Sequence, residues 1–367
     1  MCCVVVAAAA CARGADVNVL RIDGDVIRGR VLGMADGERL RLRQGEKIVE
    51  IPRDMLMRVD VLGPPPASGP SRRGQTIYLK GGGWLAGKIV GHCSGGVIAD
   101  TVVAANLELS LKELAGIRFK MADEPPGAAG LFDEALTSGP VGQDVVITVK
   151  DGRPRSFRGL VESLSADGGR FRYHDQIVLL KPELLFGVVL AAGVKDTKRP
   201  AVRVALCDGG AFDGWMEAAD EDGASVRATF GRTCRLPWSR IKGLSFHSDR
   251  VVFLSDCTPT GYSFEPLFNT RWPYRMDRAV GGGSIRLDGR TFAKGIGMHS
   301  AAKLSFTVTA GFDKLVGLVG IDDAVCPRGD VVFRVTADGR EVFNSGPVGG
   351  GSSCPVDFRE VGPGADD

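Results

Sequence analysis

The chain has 367 residues, 44% of them hydrophobic and 25% charged, and a formal net charge of +2. This is globular composition: it excludes wholesale disorder and leaves room for two or more domains. With 46 basic against 44 acidic residues, no bulk field exists to draw nucleic acid or an anionic membrane surface. The 51 glycines are roughly twice the usual ~7% share and follow no collagen period, which points to the many tight turns of an all-β chain.

Residues 1–15 read MCCVVVAAAACARGA. The apolar run at 2–12 is too short for a transmembrane helix, so no integral membrane segment is expected. Its small-residue end, with Ala10-Cys11-Ala12 as an A-x-A-type cleavage site, reads as a signal-like leader, although the basic n-region is missing. A buried first strand is the competing reading. A leader implies export, to a secreted, periplasmic or cell-envelope location, and would carry Cys2, Cys3 and Cys11 away with it. The other six cysteines are Cys93, Cys207, Cys234, Cys257, Cys326 and Cys354. None forms a C-x-x-C pair, which argues against a zinc finger or a thioredoxin-type site. Cys207 and Cys234 could meet across a sheet, as a disulfide or as reduced core thiols; the state of Cys326 and Cys354 is open as well.

Four segments then repeat one pattern, at 16–62, 75–120, 144–190 and 201–246. Each begins with an alternating strand, breaks at a Gly-containing turn and restarts around Gly29, Gly87, Gly159 or Gly214. From those glycines to Arg58, Gly116, Gly187 and Gly243 the intervals are 29, 29, 28 and 29 residues, a match that marks an internal repeat. In the first segment Leu40 and Leu42 alternate with Arg39, Arg41 and Arg43, which predicts one buried and one solvated face. Asp23-Gly24 and Asp36-Gly37 supply turns, and Pro52-Arg53-Asp54-Met55-Leu56 is a short polar interruption before a last apolar strand. Segments of this size with four or five strands suit Sm-like or SH3-like small barrels, with one larger sandwich built from all four as the alternative. Breaker-rich stretches at 63–74, 121–143 and 191–200 read as exposed linkers, so separate beads are expected rather than a fused core. Residues 17–62 hold nine basic and eight acidic side chains, a balance that lacks the footprint of an RNA-binding barrel.

After Phe246 the texture changes. Strand-like runs occur at 250–254, 303–308, 314–319 and 331–336, and Ala337-Asp338-Gly339-Arg340 predicts a hairpin turn. Five stretches carry a resemblance. They are 287–292 (LDGRTF), 294–300 (KGIGMHS), 319–323 (VGIDD), 329–335 (GDVVFRV), and Asp338-Gly339 followed by Phe343-Asn344-Ser345-Gly346. Over about residues 249–350 the chain resembles the NPCBM family, the novel putative carbohydrate-binding modules. The resemblance implies a galactose-binding-like β jelly roll, often appended to secreted glycoside hydrolases, within a module spanning 247–367. The family continues through further strands after the point matched by Gly346, whereas this chain runs on as PVGGGSSCPVDFREVGPGADD. The expectation is therefore an incomplete jelly roll without a closing strand.

A sugar site stacks an aromatic ring on the apolar sugar face and aims polar groups at the hydroxyls. Trp272, the only Trp of this module, lies in a loop-like stretch with Tyr274 and Arg275, and His299 follows a Gly-rich turn. These residues predict a stacking platform at Trp272 with Arg275 and His299 as polar contacts; a packing Trp and a structural His are the plainer readings. Asp322 and Asp323 suit either a supporting Ca²⁺ site or an acidic turn. Neither G-x-S-x-G nor H-E-x-x-H occurs. The expected function is an exported, non-catalytic, glycan-binding protein, with a galactose-type ligand implied by the resemblance and the repeats as spacer or protein-interaction array. An envelope scaffold without sugar binding is the rival, and a hydrolase stands behind both.

Overall fold

The computed structural model describes residues 14–361 apart from 36–37, 64–73, 122, 192–199, 249, 266–271, 293, 309–310, 313, 326–327 and 350–355. Residues 1–13 of the leader, Asp36-Gly37, Cys326, Cys354 and two of the linkers named above, nearly whole, therefore lie outside the described residues. The chain divides into two units, 1–248 and 249–367. It is almost wholly antiparallel β.

The first segment forms β1 (Asp16–Arg21), β2 (Val26–Ala35), β3 (Arg39–Gln44), β4 (Lys47–Pro52) and β5 (Leu56–Val61). The second forms β6 (Gln75–Leu79), β7 (Trp84–Cys93), β8 (Gly96–Thr101), β9 (Leu107–Ser110) and β10 (Leu114–Arg118). A helix, α1 (Ala128–Ser138), precedes the third, with β11 (Asp144–Lys150), β12 (Arg153–Ser165), β13 (Gly168–Tyr173), β14 (Gln176–Leu180) and β15 (Leu185–Val189). The fourth has β16 (Val202–Leu206), β17 (Ala211–Asp220), β18 (Gly223–Ala228), β19 (Thr233–Pro237) and β20 (Ile241–Phe246). In each segment the first four strands form a meander and the fifth returns to pair with the first. That is the strand order of a small SH3-like or Sm-like barrel. The polar interruption of the first segment becomes a single 3₁₀ turn, Arg53–Met55. Leu40 and Leu42 are buried while Arg39 and Arg43 are exposed, as their alternation predicts.

The repeating glycines follow from close approach. A Cβ at Gly87, Gly159 or Gly214 would lie 2.2–2.8 Å from a carbonyl oxygen of the neighbouring third strand. Only a residue without a side chain lets the long second strand bend across its partner there.

The segments are fused rather than strung as beads. Strand β5 pairs with β20 antiparallel (Val59 opposite Leu244), and β10 pairs with β15 in the equivalent register (Ile117 opposite Val188). Fifth strands thus join first to fourth and second to third. One continuous buried cluster draws side chains from all four segments. The stretch 121–143 is corrected too: it holds α1, whose Phe132 is fully buried with Ala128, Ile147, Phe186 and Val189. At this junction a Cβ on Gly187 would sit 2.5 Å from the Phe132 ring, so the glycine makes the seat for the helix.

Cys207 and Cys234 are free thiols. Each donates to a backbone carbonyl, of Ser239 and Arg232 respectively. Burial pushes the Cys234 thiol up to about 11, so it behaves as an inert core residue.

The C-terminal unit is built from short antiparallel pairs. Its strands are β21 (Gly261–Phe264), β22 (Arg275–Met276), β23 (Ile285–Leu287), β24 (Arg290–Phe292), β25 (Ile296–Gly297), β26 (Ala302–Ser305), β27 (Lys314–Val319), β28 (Asp330–Ala337), β29 (Arg340–Gly349) and β30 (Val356–Val361). The pairs are β21–β26, β22–β25, β23–β24, β27–β30 and β28–β29. The hairpin at Asp338-Gly339 forms with both residues at positive φ. Two expectations change. Residues 250–253 are not a strand, and the run ends in a 3₁₀ turn, Leu254–Asp256, because Ser255-Asp256 turn the chain before Val251-Val252 can pair. A strand does follow Gly346: β30 pairs with β27 from Lys314 opposite Val361 to Val319 opposite Val356.

Candidate functional site

Strand β21 places Tyr262 and Phe264 on one face, because side chains two apart along a strand point the same way. Its partner β26 is entered through Ser300 and Ala301, the latter at positive φ, and the Glu265 amide donates to the Ala301 carbonyl (3.0 Å). This turn brings His299 against Phe264, with ring centroids 6.0 Å apart and edge-to-face. On its other side His299 stacks on Trp272, at 5.5 Å and 18° between planes. Tyr262 fixes the Trp272 backbone by donating its hydroxyl to the Trp272 carbonyl (2.6 Å). It also packs edge-to-face on Tyr274 at 5.0 Å. Five aromatic side chains therefore share one patch. Trp272 is 45% exposed and Tyr262 39%, so the patch reaches the surface.

The structure thus brings Trp272 and His299 together, and Trp272 is a surface residue rather than a core one. Arg275 lies on β22 opposite Gly297, two residues before His299. Its side chain is exposed, and its Nε donates to the Val280 carbonyl (2.8 Å), closing the loop that follows β22. Tyr262 and Phe264 were not singled out in the sequence, although the i, i+2 aromatic pair in Gly261-Tyr262-Ser263-Phe264 was a readable signal.

A second polar feature flanks the same loops. Lys294 bonds both Asp256 and Asp277, the latter at 2.9 Å, and its ammonium lies over the Phe253 ring. The Gly295 amide also donates to Asp277 (3.1 Å). Burial works to raise the Asp277 carboxyl, but the bonds from Lys294 and the Gly295 amide hold it below the ordinary carboxylate range. Burial likewise works to lower Lys294, and the two carboxylates outweigh it, leaving the ammonium above its ordinary value. A depressed carboxylate stabilises the fold above its unfolded pKa of about 3.9 and loses that contribution as pH falls through the lower folded value; the raised lysine loses its contribution only above about 10.4. The stability gap between wild type and Asp277→Asn should therefore be constant from about pH 5 to 9 and close below about pH 4. Thermal melts across that range would read it; a gap unchanged at pH 3 would contradict the assignment.

Asp322 and Asp323 act as pins. Asp322 accepts the backbone amides of Arg286 (3.0 Å) and Ala324 (3.0 Å), and Asp323 accepts that of Gly289 (2.9 Å). The Asp323 amide in turn donates to the Arg286 carbonyl. This is the acidic-turn arrangement, tying the β23–β24 hairpin to the loop after β27. Among the described residues no group of three or more His, Cys, Asp or Glu side chains gathers to hold a metal ion.

Residues 250–361 match the family model described as NPCBM/NEW2 domain. Over this span the C-terminal unit carries the NPCBM match that its motifs imply. Across 88 residues, 22% of this chain, it is 31% identical to a protein of Renibacterium salmoninarum named as a putative endo-alpha-N-acetylgalactosaminidase. That alignment spans only 6% of the relative's length. A solved structure of CBM51-2 in complex with GlcNAc and INT domains, from Clostridium perfringens ZmpB, is 27% identical with a TM-score of 0.28. It covers 38% of this chain and 29% of that one. The NPCBM match extends past Gly346 to include β30, in line with the pairing of that strand.

Proposed function

We propose that this chain is an exported, non-catalytic protein that docks on glycan through its NPCBM module, with the fused N-terminal repeats serving as a protein-interaction scaffold. The carrying observation is the surface aromatic patch, in which Trp272 is braced by His299 and tethered by Tyr262. A flat, pre-positioned ring is what the apolar face of a pyranose needs, since ordering the platform beforehand removes part of the cost of binding. His299 and Arg275 supply polar atoms at the rim. Asp322 and Asp323 are assigned to the turn, because their oxygens accept backbone amides. The name of the Renibacterium relative and the galactose-binding-like family make galactose-type or N-acetylgalactosamine-containing glycans the first ligands to try. A non-catalytic role is favoured by the lack of any recognised catalytic motif in the sequence.

The experiment is a glycan array probed with the full chain and with the Trp272→Ala/His299→Ala variant. Binding by the wild type that is lost in the variant is the expected result. Binding that survives both changes would place the site elsewhere, and a folded chain that binds no glycan would favour an envelope scaffold. Release of sugar from any substrate in the same screen would overturn the non-catalytic reading.

A further inference from the structure

Each N-terminal segment ends its meander with a fourth strand that, among the described residues, is paired on one side only: β4, β9, β14 and β19. Open edges of this kind invite pairing with another chain, and proteins blunt them with charge and proline. Three of the four are blunted. Strand β4 (KIVEIP) carries Lys47, Glu50 and Pro52; β9 (LELS) carries Glu108 between two buried leucines; β19 (TCRLP) carries Arg235 and Pro237. Strand β14, QIVLL, has no charge and no proline. Its Ile177, Val178 and Leu179 are 48%, 42% and 70% exposed, so it shows apolar side chains on both faces. Leu160, opposite Arg172 and in one row with Ile177, is also exposed, at 52%.

We propose that β14 is a self-association edge that pairs antiparallel with β14 of a second copy of this chain, about a two-fold axis at Val178. Two features select this register. First, His174 and Asp175, both at positive φ, close the β13–β14 hairpin between Tyr173 and Gln176. The closing pair of such a turn is hydrogen-bonded, so alternation turns the backbone N–H and C=O of Ile177 and Leu179 away from β13. Centring on Val178 sets Ile177 opposite Leu179 of the second copy, and all of these outward groups are satisfied together. Second, the same register sets Asp175 opposite Lys181 at both ends. Both residues are exposed, so the edge is complementary in charge to itself. The fold already uses this device internally, where equivalent fifth strands pair antiparallel about Val59/Leu244 and Ile117/Val188. A pairing of one short strand buries well under 1,000 Å², so the dimer is expected to be weak, in the micromolar range or above.

The test is light scattering behind size exclusion on the full chain over a range of micromolar concentrations. A concentration-dependent dimer is expected, and Leu179→Lys, an exposed position, should raise its dissociation constant about tenfold or more while leaving the circular dichroism and melting temperature unchanged. Asp175→Lys alone places like charges opposite each other and should also weaken the dimer, whereas Asp175→Lys with Lys181→Asp should restore it. A wild type that stays monomeric throughout, or a dimer that Leu179→Lys does not weaken, overturns the proposal. Loss in the single charge variant without rescue in the double would overturn the Val178-centred register.

Discussion

Phe132→Ala is expected to destabilise the N-terminal unit by about 3–5 kcal/mol, the cost of emptying a fully buried aromatic site. The ring is 0% exposed and lies 5.4 Å from that of Tyr78 and 6.5 Å from that of Phe186. The site cannot collapse easily, since its floor is the pairing of β10 with β15 and of β15 with β11. Gly187 offers a second handle: its absent Cβ would stand 2.5 Å from Phe132 Cδ2. Gly187→Ala alone should therefore cost about 1–3 kcal/mol through overpacking. In the Phe132→Ala background much of that penalty should vanish, giving a coupling of about 1 kcal/mol or more. Urea unfolding of the four variants reads the cycle. Additive losses would show that the helix does not seat on the glycine, and a loss under about 1 kcal/mol for Phe132→Ala would show that α1 is not part of the core.

The same residues explain what could be read beforehand. The 28–29-residue interval located Gly29, Gly87, Gly159 and Gly214 because each meets a close carbonyl within its own segment, whereas Gly116 and Gly243 at its far end meet the carbonyls of Val188 and Val59 in the segment they pair with. How the segments join was not legible, because fifth-strand pairing depends on edges that look alike in sequence whether they face water or another strand. Helix α1 left a trace in Ala128, Phe132, Ala135 and Leu136, at i, i+4, i+7 and i+8, the apolar stripe of a surface helix. The flanking Pro-Pro-Gly and Ser-Gly-Pro outweighed it. Strand β30 was missed for a similar reason: Val-Asp-Phe-Arg-Glu-Val is short and half charged, and only its partner β27 reveals it.

In the module, the sequence motifs identified the family and brought Trp272 and His299 into view, yet not the way they meet. Their stacking depends on the turn at Ala301 and on β21, which carries the two aromatic residues the motif comparison passed over. Asp322 and Asp323 show the converse. Adjacent acidic residues suggest a cation, and the hydrogen bonds they accept from Arg286, Gly289 and Ala324 show how backbone amides can fill the same role.

Trp272→Ala should weaken glycan binding by about thirtyfold, corresponding to at least ~2 kcal/mol for removal of a central aromatic anchor. One platform and a few hydrogen bonds support a dissociation constant of about 0.1–1 mM in the wild type, so the variant should fall to about 3–30 mM. His299 separates two roles. It stacks on the indole, and its Nδ1 lies 3.3 Å from the Ser300 hydroxyl, so it can brace the platform, bond a sugar hydroxyl, or do both. His299→Phe keeps a ring beneath Trp272 and deletes the hydrogen-bonding nitrogens, while His299→Ala deletes both. Equal losses in the two variants would assign His299 to the sugar; near-wild-type binding in His299→Phe with loss in His299→Ala would assign it to bracing. Tyr262→Phe removes only the bond to the Trp272 carbonyl, worth about 0.5–1.5 kcal/mol, and should lower affinity by up to about tenfold by loosening the platform. Titration calorimetry or ligand-observed NMR covers this range. Retention of affinity within about twofold by Trp272→Ala would remove the indole from the site, because no stacking platform can be lost at so small a cost.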